Sequence, residues 1–254
     1  LAVVLPYLDF HIADHCILNC KGCSHFSPLA ADKLLDFESF RKDFRRLTEL
    51  FSNIEKIRIL GGEPLLHPSV ADFFRELRRL FPKSNISIVT NGLLLPSMTS
   101  DFYAGLKSNE VVLEISVYPE TMKEMTEKIA LASSWGIPAI LKTVARFSKF
   151  LNTEGDSDKD QIFKQCWVRN CTFLREGKLY QCCLPALAYI CNEEFGWRIP
   201  DDGYINIHED VTGQDILDFL TRPISACAFC GKAVWFLWEL SEKHEEEWLL
   251  PRSI

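Results

Sequence analysis

Three cysteines stand within one short run, His15-Cys16-Ile17-Leu18-Asn19-Cys20-Lys21-Gly22-Cys23, at the spacing C-x3-C-x2-C. Thiols this close in sequence read as metal ligands rather than free groups. Three thiolates can hold three irons of one 4Fe–4S cube, whose complete protein site takes four cysteines. The fourth iron then keeps an open position, as a catalytic metal does for its reactant. A structural zinc ion is the alternative, with His15 or His25 as its fourth ligand. Further cysteines follow at Cys166, Cys171, Cys182, Cys183, Cys191, Cys227 and Cys230, the last two forming a C-x2-C knuckle.

The elements around the first run are those of an α/β chain. An extended apolar segment, residues 5–12, leads straight into the cysteines. Phe37, Phe40, Phe44, Leu47 and Phe51 recur at three- and four-residue steps behind Asp36, an amphipathic helix with an N-cap. Residues 54–60 form the next strand. Ser69 opens a second helix with Asp72 at its third position and Phe73, Phe74, Leu77 and Leu80 on its buried face. Strands are predicted at 86–90, ending in Asn91-Gly92, and at 111–117, closed by Pro119. Thr121 and Glu124 form a capping-box pattern for a helix that stops at Trp135-Gly136, and residues 138–144 are a further strand. This βα repetition predicts a parallel sheet with right-handed crossovers. It fits a partial barrel with its chemistry at the C-terminal strand ends.

Residues 152–164 are polar and read as a linker. Beyond them, 172–174 and 179–181 flank Arg175-Glu176-Gly177-Lys178 as a β-hairpin. The tail, 233–250, reads as a capping helix with Trp235, Trp238 and Leu249 on one face and Trp248 to its side.

The chain has 254 residues and a net charge of −7 with no compensating Lys/Arg block, which argues against a general nucleic-acid binder. Ten cysteines without a secretory signal favour a reducing, cytoplasmic setting with metal-bound thiols over a disulfide scaffold. Residues 1–10 are too short to span a bilayer and contain Pro6 and Asp9, so no membrane association is expected. The chain lacks an initiating methionine, and the expectation is that it begins inside a longer one. As it stands, too few residues precede Cys16 for a leader-recognition domain.

A second motif, Gly61-Gly62-Glu63-Pro64, follows the apolar run Ile57-Arg58-Ile59-Leu60. Its glycines suit close approach of backbone carbonyls to a ligand, and Pro64 fixes the following turn. C-x3-C-x2-C after one strand and GGEP after the next resemble the radical S-adenosylmethionine (SAM) superfamily. The resemblance covers residues 1–150 and implies a partial (β/α)6 TIM-like barrel. It implies that Cys16, Cys20 and Cys23 hold a [4Fe–4S] cluster whose open iron chelates SAM. One electron then splits SAM, and a 5′-deoxyadenosyl radical takes hydrogen from the substrate.

The same resemblance assigns Gly61, Gly62, Glu63 and Pro64 to SAM binding, with Glu63 toward the methionine ammonium. Asn91 and Ser116 resemble the ribose- and carboxylate-contacting positions. Lys142 and Arg146 are the candidates for a substrate-facing or catalytic cation. The family usually carries an aromatic residue before the third cysteine, against the adenine. Here that position is Gly22, and His25 or Phe26 is expected to replace the contact.

Gly177-x4-Cys182 with the later C-x2-C resembles the SPASM/twitch extension of the family, a small α+β domain around an auxiliary iron–sulfur cluster. This implies a domain over 166–254 after a linker at 151–165, with Cys166, Cys182, Cys227 and Cys230 as ligands and Cys171 in reserve. Cys183 and Cys191 are expected to be small buried residues, and a zinc knuckle is the inert alternative. The size and cysteine layout resemble family members that dehydrogenate an aminocyclitol. The expected function is hydrogen abstraction from a small polar substrate, a sugar, aminocyclitol or nucleotide derivative, leading to dehydrogenation or epimerisation. A flavodoxin or ferredoxin would supply the electron. The alternatives are a peptide maturase and, remotely, a non-catalytic zinc-binding protein.

Overall fold

A computed structural model describes residues 3–251. Leu1 and Ala2, part of the expected opening strand, lie outside them. In chain order the elements begin with β1 (Val4–Ala13), α1 (Phe37–Leu50), β2 (Asn53–Gly61), α2 (Val70–Leu80) and β3 (Asn85–Thr90). There follow α3 (Ser100–Ser108), β4 (Val112–Val117), α4 (Met125–Ser134), β5 (Ala139–Thr143), β6 (Arg146–Leu151) and α5 (Lys159–Gln165). The last elements are β7 (Phe173–Arg175), β8 (Lys178–Tyr180), α6 (Cys183–Phe195), β9 (Tyr204–Asn206), α7 (Gly213–Phe219) and β10 (Cys230–Leu237).

Strands β1 to β5 pair in parallel, in the order β5-β4-β3-β2-β1, as the βα alternation requires. One face of this sheet carries Leu8, Phe10, Ile12, Ile57, Ile59, Ile86, Ile88, Leu113 and Ile115, all in one core with the apolar stripes of α1 to α4. Strand residues alternate between faces, so the other face presents Tyr7, Asp9, His11, Lys56, Arg58, Ser87, Glu114, Ser116 and Lys142. On that inner face these polar groups alternate with Leu60, Val89 and Ile140.

Helix α1 is capped by Asp36, which accepts from Ser39 N. Ser69 precedes α2 but makes no side-chain cap. Thr121 is not the N-cap of α4. It adopts a helical conformation ahead of a 3-10 turn, Met122–Glu124, and its hydroxyl bonds the backbone of Tyr118 instead. The Glu124 side chain of the expected capping box lies outside the described residues. Helix α3, which the sequence reading passed over, is capped by Thr99 accepting from Phe102 N.

The later strands differ from expectation in two ways. β7 pairs in parallel with β1, through Asp9 and Phe173, so the β7–β8 hairpin and β9 extend the same sheet past its β1 edge. The hairpin turn, Glu176-Gly177, has φ of 51° and 72°, the left-handed pair that two-residue hairpins favour. The tail is not a helix. Cys230–Leu237 is a strand antiparallel to β6 in a separate two-stranded sheet, and among the described residues only a 3-10 turn, Glu245–Glu247, follows. Its run of Val234, Trp235, Phe236, Leu237 suits a pleated surface. Val234, Trp235 and Leu237 are exposed, while Phe236 and, just past the strand, Trp238 turn inward. Consequently β6 takes its partner from the tail rather than from β5. A second core around α6 gathers Phe26, Leu151, Phe173, Tyr180, Leu187 and Trp248.

Phe40 is 1 % exposed and packs its ring against Phe10, Phe37, Phe44 and Phe73. Urea unfolding should show Phe40→Ala losing ~3–5 kcal/mol. Leu237→Ala, at a side chain 65 % exposed, should stay within about 0.5 kcal/mol of the parent.

Candidate metal centre and barrel mouth

The cysteine loop is seated on the end of β2 by backbone alone. Gly62 N donates to Ala13 O at 2.8 Å and Glu63 N to His15 O at 3.0 Å. A Cβ on Gly61 would overlap the Ala13 carbonyl, and one on Gly62 the His15 carbonyl. The two glycines therefore serve contact between two chain segments, where the sequence suggested contact with a ligand.

Cys16, Cys20 and Cys23 gather in one pocket with Leu18, Leu93, Tyr118, Phe147 and Trp238. Burial pushes the thiols of Cys16 and Cys20 up to about 12, and the neighbouring thiols add to it. Such thiols hold their protons until a metal replaces them. Asn91 Nδ2 donates to Cys16 Sγ at 3.6 Å. Of the two histidines eligible as a fourth ligand, His25 is bonded elsewhere, its Nδ1 3.0 Å from His11 Nε2. His15 Nδ1 lies 3.2 Å from Asp32 but is buried without a hydrogen bond. Three thiols stand together here, as a cluster with one open iron requires.

Glu63 is fully buried. Its Oε1 accepts from Thr90 Oγ1 at 2.6 Å and Leu65 N at 3.1 Å, and its Oε2 from Asn91 N at 2.9 Å. Burial raises its carboxyl to about 7 against these bonds. A carboxylate has about four acceptor positions, so one remains. Asn91 Oδ1 also accepts from Leu93 N, so the ordinary strand-exit turn and the contact with Cys16 belong to the same residue. Ser116 lies on the inner face with its hydroxyl beside the Tyr118 phenol.

On the adenine side Phe26 departs from expectation. Phe26 has φ 54° and no exposed surface; it belongs to the second core, against Trp248. His25 is half-buried and joins a polar chain that runs on through His11 to Asp14. At Gly22, with φ 64°, a Cβ would stand 2.9 Å from the Phe236 ring and 3.0 Å from Glu247 O. The position where the family resemblance led us to expect an aromatic is covered instead by one from β10.

The candidate cations also separate. Lys142 Nζ bonds the Glu114 carboxylate on the inner face, whereas Arg146 is exposed at the start of β6 opposite Leu237. Glu114, 1 % exposed, further receives Ser87 Oγ at 2.8 Å and Lys56 Nζ at 2.9 Å. Beside it Arg58 grips Asp9 with two bonds of 2.8 and 2.6 Å. Higher up, Arg175 grips Asp14 at 2.9 and 2.8 Å, and Tyr189 donates to the same carboxylate at 2.7 Å.

Sequence reading missed Tyr118, which comes one residue after β4, and Trp238, which only the tail's path brings to the cysteines. It also missed the inner-face charges, although polar residues alternating through buried strands were there to be read.

In the second set, Cys166 ends α5, Cys182 precedes α6, Cys227 lies in a 3-10 turn and Cys230 starts β10. Burial raises the Cys182 thiol, and Cys230, Cys171 and Cys227 add to the shift; Cys166 does the same to Cys227 and Cys230. Cys171 thus belongs to this electrostatic neighbourhood along with Cys166, Cys182, Cys227 and Cys230. Cys171 also donates to Asp9 Oδ2 at 3.7 Å, toward the inner face. Cys191 is fully buried and bonds Ala188 O. Among the described residues no three His, Cys, Asp or Glu side chains are arranged about a single metal ion, and no helix is long and apolar enough to cross a membrane.

Gly62→Ala should unseat the cysteine loop, lowering stability by about 1–3 kcal/mol as overpacking does. Iron bound after anaerobic reconstitution should fall with it. A second outcome concerns acid. Burial would raise the Glu114 carboxyl, but Lys142, Lys56 and Ser87 outweigh it and hold it at about 2, below the ordinary 4.5. A depressed acid stabilises the fold above its unfolded value and loses that contribution as pH falls toward the folded one. Glu114→Gln should therefore unfold more readily at pH 7 and show a flatter loss of stability between pH 4.5 and 2.

The family model described as the radical SAM superfamily matches residues 10–149. The GTP 3′,8-cyclase of Petrotoga mobilis is 34 % identical over 128 residues, 49 % of this chain and 39 % of that protein. That of Thermodesulfovibrio yellowstonii is 36 % identical over 115 residues, 43 % of this chain and 35 % of that protein. The matches thus take in less than half the length of these curated relatives. Among solved structures, BtrN in complex with AdoMet and 2-DOIA superposes with a TM-score of 0.58 at 16 % identity, over 91 % of this chain and 95 % of that one. The structure of anSMEcpe with bound AdoMet gives 0.54 at 14 % identity, over 89 % and 82 %. The sheet, the cysteine loop and the family match agree, and the chain belongs to the radical SAM superfamily, whose cofactors are SAM and a [4Fe–4S] cluster.

Proposed function

We propose that this chain is a radical SAM enzyme acting on a small polar molecule, with dehydrogenation or epimerisation as the outcome. Cys16, Cys20 and Cys23 ligate the cluster. When bound, it supplies the electron that splits SAM to the radical that takes hydrogen from the substrate. Glu63, with its remaining acceptor position, and Asn91 and Ser116 orient SAM at the strand ends. Leu18, Tyr118, Phe147 and Trp238 exclude water from the cysteines.

The observation that carries the substrate class is the inner face below the mouth. Asp9, Arg58, Glu114, Lys56 and Lys142 present paired charges and the hydroxyls of Tyr7 and Ser87, which suit a molecule dense in hydroxyl, amino or phosphate groups. Lys142 acts here through Glu114, and Arg146 stands outside the network. The GTP named for the cyclases and the 2-DOIA of the BtrN complex support a small polar substrate. In this reading residues 166–251 would be a twitch-like unit in which Cys166, Cys182, Cys227 and Cys230 would hold an auxiliary cluster, able to accept the second electron of a dehydrogenation as the substrate radical also gives up a proton. The first electron leaves the substrate with the abstracted hydrogen atom, and a flavodoxin or ferredoxin would supply the separate electron that splits SAM.

A peptide substrate is the second reading, favoured by the likeness to anSMEcpe with a bound Cp18Cys peptide, TM-score 0.52 over 89 % of this chain. Anaerobic reduction with SAM, first alone and then with aminocyclitols, sugars, nucleotides or peptides, separates the two. 5′-Deoxyadenosine should rise with one small polar compound, and that compound should lose two hydrogens or invert a centre. Deoxyadenosine rising only with peptides would reject the small-molecule reading. Cys20→Ala should abolish its formation altogether.

A further inference from the structure

Two indoles flank the cysteine loop, and they differ in one respect. Trp248 is 2 % exposed and its Nε1 donates to Cys23 O at 2.8 Å. Trp238 is 8 % exposed, and its Nε1 has no hydrogen-bond partner among the described residues. A buried donor without a partner costs its full desolvation and calls for an explanation. Its cluster brings together apolar side chains, the three cysteines and Tyr118. Trp238 packs with Leu18 and Cys20, and the Tyr118 ring stands 5.9 Å away.

The indole is also held in place. Trp238 N donates to Ala145 O, Lys21 N to Glu239 O and Ser241 N to Asn19 O, at 3.0, 3.0 and 2.9 Å, and Leu240 bridges Cys20. The chain on both sides of the ring is therefore tied down, two of the ties to the cysteine loop itself. The Cys20 side chain shares the buried cluster with the indole and lies where the tail runs along the cysteine loop.

We propose that Trp238 is a positioning residue whose indole N–H donates to the Cys20 thiolate and raises the reduction potential of the N-terminal centre. The inference rests on the reading of Cys16, Cys20 and Cys23 as cluster ligands. A hydrogen bond to a ligand sulfur stabilises the more negative, reduced state, and such bonds, together with burial, are the protein's means of setting an iron–sulfur potential. Trp238 belongs to the tail, so the segment that closes over the loop also tunes it.

The test uses the full chain, anaerobically reconstituted, in three forms: unaltered, Trp238→Phe, and with benzothienylalanine at 238, which keeps the two-ring shape but has sulfur in place of N–H. The N-terminal centre is identified as the EPR signal that changes on adding SAM, and its midpoint potential is titrated. The expected result is a lower potential in both altered proteins with iron content and the SAM-sensitive signal retained. Trp235→Phe, at an exposed ring, should match the parent. Benzothienylalanine leaving the potential unmoved would overturn the proposal and reduce Trp238 to an apolar wall, even were Trp238→Phe to lose its cluster. Absence of any SAM-sensitive iron signal in the unaltered chain would overturn the ligand reading beneath it, and this inference with it.

Discussion

The closest approach in the molecule that matters is between the end of β2 and the chain leaving β1. Gly61 and Gly62 lie so near the Ala13 and His15 carbonyls that no side chain fits at either position. Two backbone bonds follow from that proximity and hold the entry to the cysteine loop. The same turn sends Glu63 sideways to Thr90 and Asn91 at the end of β3, and Asn91 returns to Cys16. A loop that must present three thiols to one group thus gains its shape from two neighbouring strands. Regular secondary structure contributes only the ends it hangs from.

Around that contact the chain divides its labour by sheet face. The helix-facing side is an ordinary aliphatic and aromatic core. The inner side holds Asp9 and Glu114, buried charges that would be costly there if unpaired and are acceptable because each carboxylate is bonded more than once, Asp9 to Arg58 and Glu114 to the more exposed Lys142 among others. Truncating one partner would leave the other exposed to that cost, which is why Lys142 is better understood as part of a lattice than as an independent base. The tail then closes the top. Lys21 and Cys20 meet Glu239 and Leu240, and Phe236 occupies the hollow left by Gly22.

Local pattern revealed much of this. Phe40, Phe44 and Leu47 announced α1, and Asp36 its start, because a helix stripe and a cap are written in neighbouring residues. Gly61-Gly62-Glu63-Pro64 and the cysteine spacing announced the site for the same reason. What escaped was long-range or two-sided. Trp235 and Trp238 fit a helix face as well as a strand, and only pairing with β6 decides for the strand. Phe26 seemed available to a ligand because its burial depends on α6 and Trp248, far along the chain. Thr121 matched a capping box, but Tyr118 competed successfully for its hydroxyl. The meaning of Gly22 was out of reach until the ring of Phe236 was seen above it.

The account stands on one iron of the N-terminal centre having no side-chain ligand. Mössbauer spectroscopy of the 57Fe-reconstituted chain, before and after SAM, interrogates that iron directly. One site in the cluster held by Cys16, Cys20 and Cys23 should change its isomer shift on adding SAM while the other three stay as they were. A spectrum in which every iron is indifferent to SAM would mean that the site is closed by protein, and the radical chemistry proposed for this chain would be wrong.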